Sequence, residues 1–324
     1  LTRLSLEANP KLGEIAQKAF YSAKVQELTI HDAILSSQSA HALRELSGSL
    51  KELSWRSNQK PLIIPEDLFQ GFSFRRLVLT SNKIENVRFL RHVITDDLSL
   101  EDNPIGNIDF SRYPNLREVR NLHLSSTGMT SVNPRYFSGM THLRQLYMEK
   151  NQITTLSGEL EMLFNGLQRL VMSDNPLHCN CEVLWFRSWV ESSKAVVTGA
   201  KCATPIADDI VLLDEKQFTC TPPSNLNISR RTDPDTKEFV LECSAQGDPP
   251  PNIFWYSPDN NILSTSAAEN RSIHSNSGEL VIDSSMKKES GMYKCLADNN
   301  HGVVEEDTKV DVYSILKNAE SNAA

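Results

Sequence analysis

The residues of this chain whose types and spacing could do chemistry are its six cysteines and eight histidines. His178 precedes the pair Cys179-x-Cys181, single cysteines follow at Cys202 and Cys220, and Cys243 and Cys295 lie further on. Thiolates beside an imidazole can hold a metal ion, and thiols in even number can instead oxidise in pairs. Spacing favours oxidation, because Cys202 and Cys220 lack the paired Cys-x-x-Cys arms of a zinc ribbon. His178 then reads as a polar neighbour of the bridges. The other histidines (His31, His41, His92, His123, His142, His274 and His301) are scattered, and no two form H-E-x-x-H. There is no G-x-S-x-G turn or phosphate loop, and thirteen glycines leave little backbone to cradle a phosphate. The expectation is a segment with no catalytic residues, no metal and no cofactor, and no enzymatic role.

Three disulfides require an oxidising compartment. The sequons Asn227-Ile228-Ser229 and Asn270-Arg271-Ser272 would be glycosylated there. A formal charge of -8 argues against a nucleic-acid partner, since phosphate binding wants a basic face. No run approaches the roughly 18 apolar residues of a membrane span. No signal peptide is visible, and the chain opens at Leu1-Thr2-Arg3-Leu4-Ser5-Leu6, already inside a strand-like pattern. It reads as a segment of a longer precursor whose beginning and membrane anchor lie elsewhere.

The elements that must position these residues follow one repeated template. In Leu167–Asn175 the apolar groups Leu167, Leu170 and Met172 precede Asn175 with the spacing L-x-x-L-x-L-x-x-N, the signature of a leucine-rich repeat. Its last position recurs at Asn9, Ala33, Asn58, Asn82, Asn103, Thr127, Asn151 and Asn175, at intervals of 21 to 25 residues. Each repeat buries alternate strand side chains, while the Asn satisfies backbone groups at the turn. Ala33 and Thr127 should interrupt that polar ladder. Phe20, Phe69, Phe137 and Phe164 fall about half a repeat later and should stack into a second apolar row. Trp55 occupies an inward strand position and is expected in the core.

After Asn175 the run Glu182–Glu191 places Leu184, Trp185 and Trp189 on overlapping helical faces, as a terminal repeat needs to cover its apolar end. Asn175-Pro-Leu-His-Cys-Asn-Cys181, a Trp-bearing helix, then Cys202 and Cys220 resemble the cysteine-rich C-terminal flank of extracellular leucine-rich repeat proteins. That resemblance implies the pairs Cys179–Cys202 and Cys181–Cys220. Thr221-Pro-Pro-Ser224 reads as a stiff hinge, beyond which short alternating strands begin. Cys243, Trp255 and Glu289-Ser-Gly-Met-Tyr293-Lys-Cys295 resemble an immunoglobulin domain, with a Cys243–Cys295 bridge, a core Trp and a tyrosine corner. Ala297-Asp-Asn299-Asn-His-Gly302 is similar to the intermediate set, although Glu289 stands where Asp is usual.

The expected architecture is therefore an α/β-type leucine-rich repeat solenoid, a parallel β-sheet horseshoe, with a disulfide-tied C-terminal cap and an all-β I-set sandwich. Its parts are residues 1–174 (about eight repeats), 175–221 (flank), 222–313 (immunoglobulin) and 314–324 (stalk or tail). The combination resembles animal cell-surface proteins that include neuronal adhesion proteins, growth-factor-receptor modulators and neurotrophin receptor kinases. It implies an ectodomain binding an extracellular ligand or a cell-surface receptor. The alternatives are an adhesion molecule that includes homodimers, a secreted matrix protein, and the ligand-binding part of a neurotrophin-receptor-like kinase.

In a solenoid the x positions of each strand line the concave surface, which is the expected partner face. They are Arg56, Arg76, Val78, Asp97, Glu101, Asp102, Arg120, His123, Arg144, Tyr147, Glu149, Arg169 and Val171. Asp96, Asp97, Glu101 and Asp102 form an acidic block between arginine-bearing strands. Val78, Tyr147 and Val171 are candidate apolar anchors.

Overall fold

The computed structural model describes residues 2–232, 239–263, 271–274, 278–282 and 290–311. Asn270, Glu289 and the tail from Ser314 lie outside these residues. The chain divides into two compact units, Leu1–Phe218 and Thr219–Ala324.

In the first unit eight short strands pair in parallel, each with the next. They are β1 (Arg3–Leu6), β2 (Glu27–His31), β3 (Glu52–Arg56), β4 (Phe74–Val78), β5 (Thr95–Ser99), β6 (Asn121–His123), β7 (Gln145–Tyr147) and β8 (Arg169–Val171). Their register sets Leu28, Leu53, Leu77, Leu98, Leu122, Leu146 and Leu170 in one buried row. Side chains one residue to either side point the opposite way, because strand periodicity is two.

The turn after each strand is held by the Asn ladder. Asn151 Oδ1 accepts from the backbone N–H of Thr127 and Met129, and its Nδ2 donates to the Leu124 and Met148 carbonyls. One side chain thus ties three backbone segments of adjacent repeats. Thr127 donates its hydroxyl to the Leu124 carbonyl at 2.8 Å, so the ladder loses its amide there but keeps one bond. Ala33 is fully buried with no polar side chain to contribute. The residue before every ladder position, Ala8, Asp32, Ser57, Ser81, Asp102, Ser126, Lys150 and Asp174, has φ between 52° and 58°. Asp and Ser are common here because a short polar side chain eases the left-handed conformation.

On the convex side the connections are mostly single 3-10 turns, such as Arg88–His92 and Pro134–Phe137, because few residues separate ladder and next strand. Phe20, Phe69, Phe137 and Phe164 are buried among them. Phe69 meets Phe72, Phe74 and Phe89 edge-on at centroid distances of 6.0, 5.5 and 5.8 Å. Trp55 is fully buried in the core.

The cap comprises β9 (Leu177–His178), the helix Leu184–Ser192, β10 (Val196–Thr198), β11 (Lys201–Thr204) and β12 (Asp208–Asp209). β10 adds a ninth strand to the main sheet, Val197 opposite Leu170, which the repeat template did not foresee. Cys179 and Cys202 are bridged with Cα atoms 5.6 Å apart. Cys181 and Cys220 are also disulfide-bonded, and no described cysteine is free. The covering face differs from that expected of Leu184, Trp185 and Trp189. Phe186 is fully buried and stacks on Trp189, whereas Leu184 and Trp185 are half-buried. All three rings surround Phe164 at 5.3 to 5.9 Å. Trp185 and Trp189 donate their indole N–H to Leu156 O and Asn165 Oδ1, which requires each ring edge to reach a polar group.

The second unit is two antiparallel sheets. One contains β13 (Thr221–Thr232), β14 (Phe239–Asp248), β17 (Arg271–His274) and β18 (Glu279–Ile282). The other contains β15 (Asn252–Tyr256), β16 (Ile262–Leu263), β19 (Gly291–Asp298) and β20 (Val303–Val310). Cys243 and Cys295 bridge them, with Trp255 and Tyr293 buried in the same core. The Thr221–Ser224 hinge is in fact the start of β13: Thr221 pairs with Asp248 and Ser224 with Gln246. The register shifts between them, as expected where Pro222 and Pro223 cannot donate to a ladder.

Candidate functional site

The register of the parallel sheet converts sequence spacing into columns on its inner face. Arg76, Asp97, Asn121, Gln145 and Arg169 form one column across β4–β8. Val78, Ser99, His123, Tyr147 and Val171 form the next. Main-chain bonds from Asp102 N to Ser125 O and from Ser126 N to Glu149 O extend the ladder to a third, which contains Glu101, Ser125 and Glu149.

At the centre of these columns His123 lies with a carboxylate facing each ring nitrogen. Its Nε2 is 3.6 Å from Asp97 Oδ1, and its Nδ1 is 3.2 Å from Glu101 Oε1. Its ring stacks on Tyr147, with centroids 4.2 Å apart and planes 3° from parallel. The Tyr147 hydroxyl donates to Gln145 Oε1 at 2.7 Å. Arg76 Nε approaches the other oxygen of Asp97, Oδ2, at 3.7 Å. The hydrogen bond from His123 lowers the pKa of Glu101, with the charges of His123, Arg56 and Arg76 adding and burial opposing. Burial raises the pKa of the Tyr147 phenol; Arg169 opposes, while Asp97, Glu149 and Glu101 add to the rise. A tyrosine pinned by an amide and a stacked ring is a rigid, amphipathic contact surface. Such side chains lose little entropy when a partner docks.

The structure sorts the expected face unevenly. Asp97, Glu101, His123, Tyr147 and Glu149 converge on β5–β7. Arg56 is exposed and donates Nε–H to Ser54 Oγ, Arg76 pairs with Asp97, and Arg120 is exposed at the entry to its strand. Val171 is half-buried. Val78 is not an exposed anchor: it is only 2% exposed. A short side chain between strands about 4.8 Å apart is overshadowed by longer neighbours. The acidic block also divides, since Asp96 and Asp102 are exposed and away from His123; Asp102 accepts from the Ser81 hydroxyl. Asn227 is exposed on β13. Asn270 lies outside the described residues. His178 Nδ1 is 2.7 Å from Thr204 Oγ1.

Ser125 and Gln145 belong to this site and were not singled out by sequence. Ser125 sits one repeat from both Glu101 and Glu149, so the ladder spacing could have found it. The Tyr147–Gln145 bond joins residues on one strand face, at i and i+2.

In the second unit Phe254, Ile262, Met292 and Val303 are each at least 36% exposed. The register sets Phe254 opposite Leu296 and Met292 opposite Lys309, on the face away from Trp255 and Cys295. Among the described residues no helix is long and apolar enough to cross a membrane.

Two family models match the chain: a leucine rich repeat model over residues 117–177 and an immunoglobulin domain model over residues 222–299. Neither is a catalytic family. The chain is similar to "Leucine-rich repeat and fibronectin type III domain-containing protein 1-like protein" of Danio rerio, 28% identical over 226 residues. That alignment covers 64% of this chain and 31% of the relative. It is also similar to the "BDNF/NT-3 growth factors receptor" of Gallus gallus, 28% identical over 201 residues, covering 60% of this chain and 24% of that receptor. The chain thus matches about a third or less of each relative's length. Among solved structures human 5T4, also titled Wnt-activated inhibitory factor 1 or trophoblast glycoprotein, superposes with a TM-score of 0.58 at 22% identity. It covers 68% of this chain and 88% of 5T4, a likeness of fold.

Proposed function

We propose that this chain, a member of the leucine-rich repeat and immunoglobulin (LRR-Ig) family, binds an extracellular protein through the inner face of β5–β7. In this reading it is part of the ectodomain of a cell-surface glycoprotein acting as receptor, co-receptor or receptor modulator. Residues 1–174 supply the binding face, 175–221 seal its end and 222–313 form the immunoglobulin module.

The observation that carries the reading is the His123–Tyr147 stack held among Asp97, Glu101 and Gln145. An aromatic held rigidly at the middle of a face and ringed by polar groups has the make-up of an interface hot spot. The test is a binding screen of the glycosylated chain against purified secreted and cell-surface ectodomains, repeated with Tyr147→Ala. A partner whose affinity falls at least about tenfold in the variant supports the reading. Partners bound equally by both proteins would move the site off this face.

A second reading, adhesion through self-association, is favoured by the exposed Phe254, Ile262, Met292 and Val303 on one sheet of the immunoglobulin unit. Light scattering over a concentration series distinguishes the two. A concentration-dependent dimer that Met292→Glu abolishes supports adhesion through this sheet, and a strict monomer rules it out.

A further inference from the structure

Among the described residues four buried side-chain polar atoms have no hydrogen-bond partner: Trp55 Nε1, Asp97 Oδ1, Ser125 Oγ and Glu149 Oε2. Trp55 is a core indole. The other three lie on the inner face around the His123–Tyr147 stack, Asp97 in the first column and Ser125 and Glu149 in the third. Buried polar atoms without partners are rare in native proteins, so three at one place mark a spot where something outside the chain completes the bonding.

The geometry of each atom is specific. Ser125 is only 7% exposed. Its backbone carries the ladder between Glu101 and Glu149 while its neighbour Leu124 is buried in the core, so the hydroxyl is aimed into the inner face. Arg76 approaches Asp97 through Oδ2 and leaves Oδ1 without a hydrogen bond, 3.6 Å from His123 Nε2. Glu149 has one oxygen buried and unpartnered, in the column that Ser125 shares.

What these atoms would take follows from their chemistry. Two carboxylate oxygens can only accept, and a hydroxyl can accept as well, so these atoms call for a hydrogen-bond donor, and a positively charged one gains most beside carboxylates. A divalent cation is a poor fit, since Asp97, Glu101 and Glu149 do not bring three ligand atoms within 4.8 Å of one another. An ammonium is a compact point donor. A guanidinium spreads five N–H donors over a planar fork, which suits acceptors held on three successive strands. The adjoining aromatic stack adds a surface that favours a delocalised cation. Asp97, Glu149 and Glu101 all act on the Tyr147 phenol, beside burial and against Arg169, and so stand close to this aromatic surface.

We propose that the notch formed by Asp97 Oδ1, Ser125 Oγ and Glu149 Oε2 beside Tyr147 receives the guanidinium of an arginine side chain presented by the protein partner. This rests on the inner face being the partner face, and it names what that face reads.

The test uses N-acetyl-arginine amide as probe, titrated into the whole chain labelled at histidine, with the His123 signal assigned from His123→Gln. The His123 resonances are expected to shift saturably in the millimolar range, as for one side chain bound without the rest of a partner. The neutral isostere N-acetyl-citrulline amide should bind about tenfold or more weakly, and N-acetyl-lysine amide should also be weaker. Glu149→Gln and Ser125→Ala should each weaken the arginine response, both being near-isosteric changes whose folding is checked by the unaltered remaining histidine signals. No shift with the arginine probe, equal response to citrulline, or an unchanged response in both variants would overturn the proposal. If a protein partner is lost with Tyr147→Ala while the arginine probe fails, the inner-face reading stands and the guanidinium assignment falls. If the partner ignores Tyr147→Ala, the inner-face reading itself falls.

Discussion

The imidazole of His123 and the phenol of Tyr147, one repeat apart in sequence, lie face to face with centroids 4.2 Å apart and planes 3° from parallel. Parallel pairing of β6 and β7 sets the two residues directly opposite. The stack is therefore a product of register, and it shapes the site more than any single charge does.

Tyr147→Ala is expected to weaken partner recognition strongly at small structural cost. Tyr147 is only half-buried, and its hydroxyl bond to Gln145 is only partly buried. Urea unfolding should register a loss of about 1 kcal/mol or less, while affinity falls by about 2 kcal/mol or more. A stability loss as large as the binding loss would make Tyr147 a structural residue.

Asn151→Ala should behave oppositely. Removing its amide strands the N–H groups of Thr127 and Met129 in a buried turn, while the Leu124 carbonyl keeps the Thr127 hydroxyl and the Met148 carbonyl keeps Asn175 Nδ2. Each orphaned group costs about 1–3 kcal/mol unless water enters, so a total near 3 kcal/mol is expected from denaturant unfolding. Thr127→Ala, which removes a single donor, should cost about 1 kcal/mol.

Glu101 gives a prediction with a sign. Its carboxyl pKa is lowered from an ordinary 4.5, first by the hydrogen bond from His123 and then by the charges of His123, Arg56 and Arg76, against burial. A depressed carboxylate pKa contributes stability that is present above the unfolded value and lost as pH falls through the folded one. The stability difference between the natural chain and Glu101→Gln should therefore be open at neutral pH and close as the medium is acidified below 4.5. A gap that persists unchanged in acid would assign the effect to side-chain shape.

The paired replacement of Cys243 and Cys295 by Ala should cost about 2–5 kcal/mol and sharply reduce secretion. Loss of the bridge leaves Trp255 and Tyr293 packed around a void in the same core. Normal secretion with an unchanged unfolding midpoint would show that the sandwich does not depend on the bridge.

Val78→Lys tests the buried side of the inner face. Because Val78 is 2% exposed, the ammonium has to be buried or β4 displaced, and destabilisation of several kcal/mol is expected without selective loss of binding. If this variant unfolded like the natural chain, Val78 would be a surface residue after all.

Residue spacing alone determined the solenoid and its strands. A period of 21 to 25 residues ending on Asn repeats one local solution to one backbone problem, and that solution needs no distant partner. The same holds for Trp55, whose inward position follows from alternation along its strand. What tertiary structure alone decided is which inner-face residues act together. Val78 and Tyr147 share a column by register, yet one is covered and the other is open, because exposure depends on the bulk of neighbouring strands. Phe186 displaced Trp185 from the cap interior because the helix had to fit around Phe164. Asp96 and Asp97 are adjacent in the chain, but only Asp97 turns toward His123. Spacing sets the column a residue occupies; the packing of adjacent strands sets what its side chain meets.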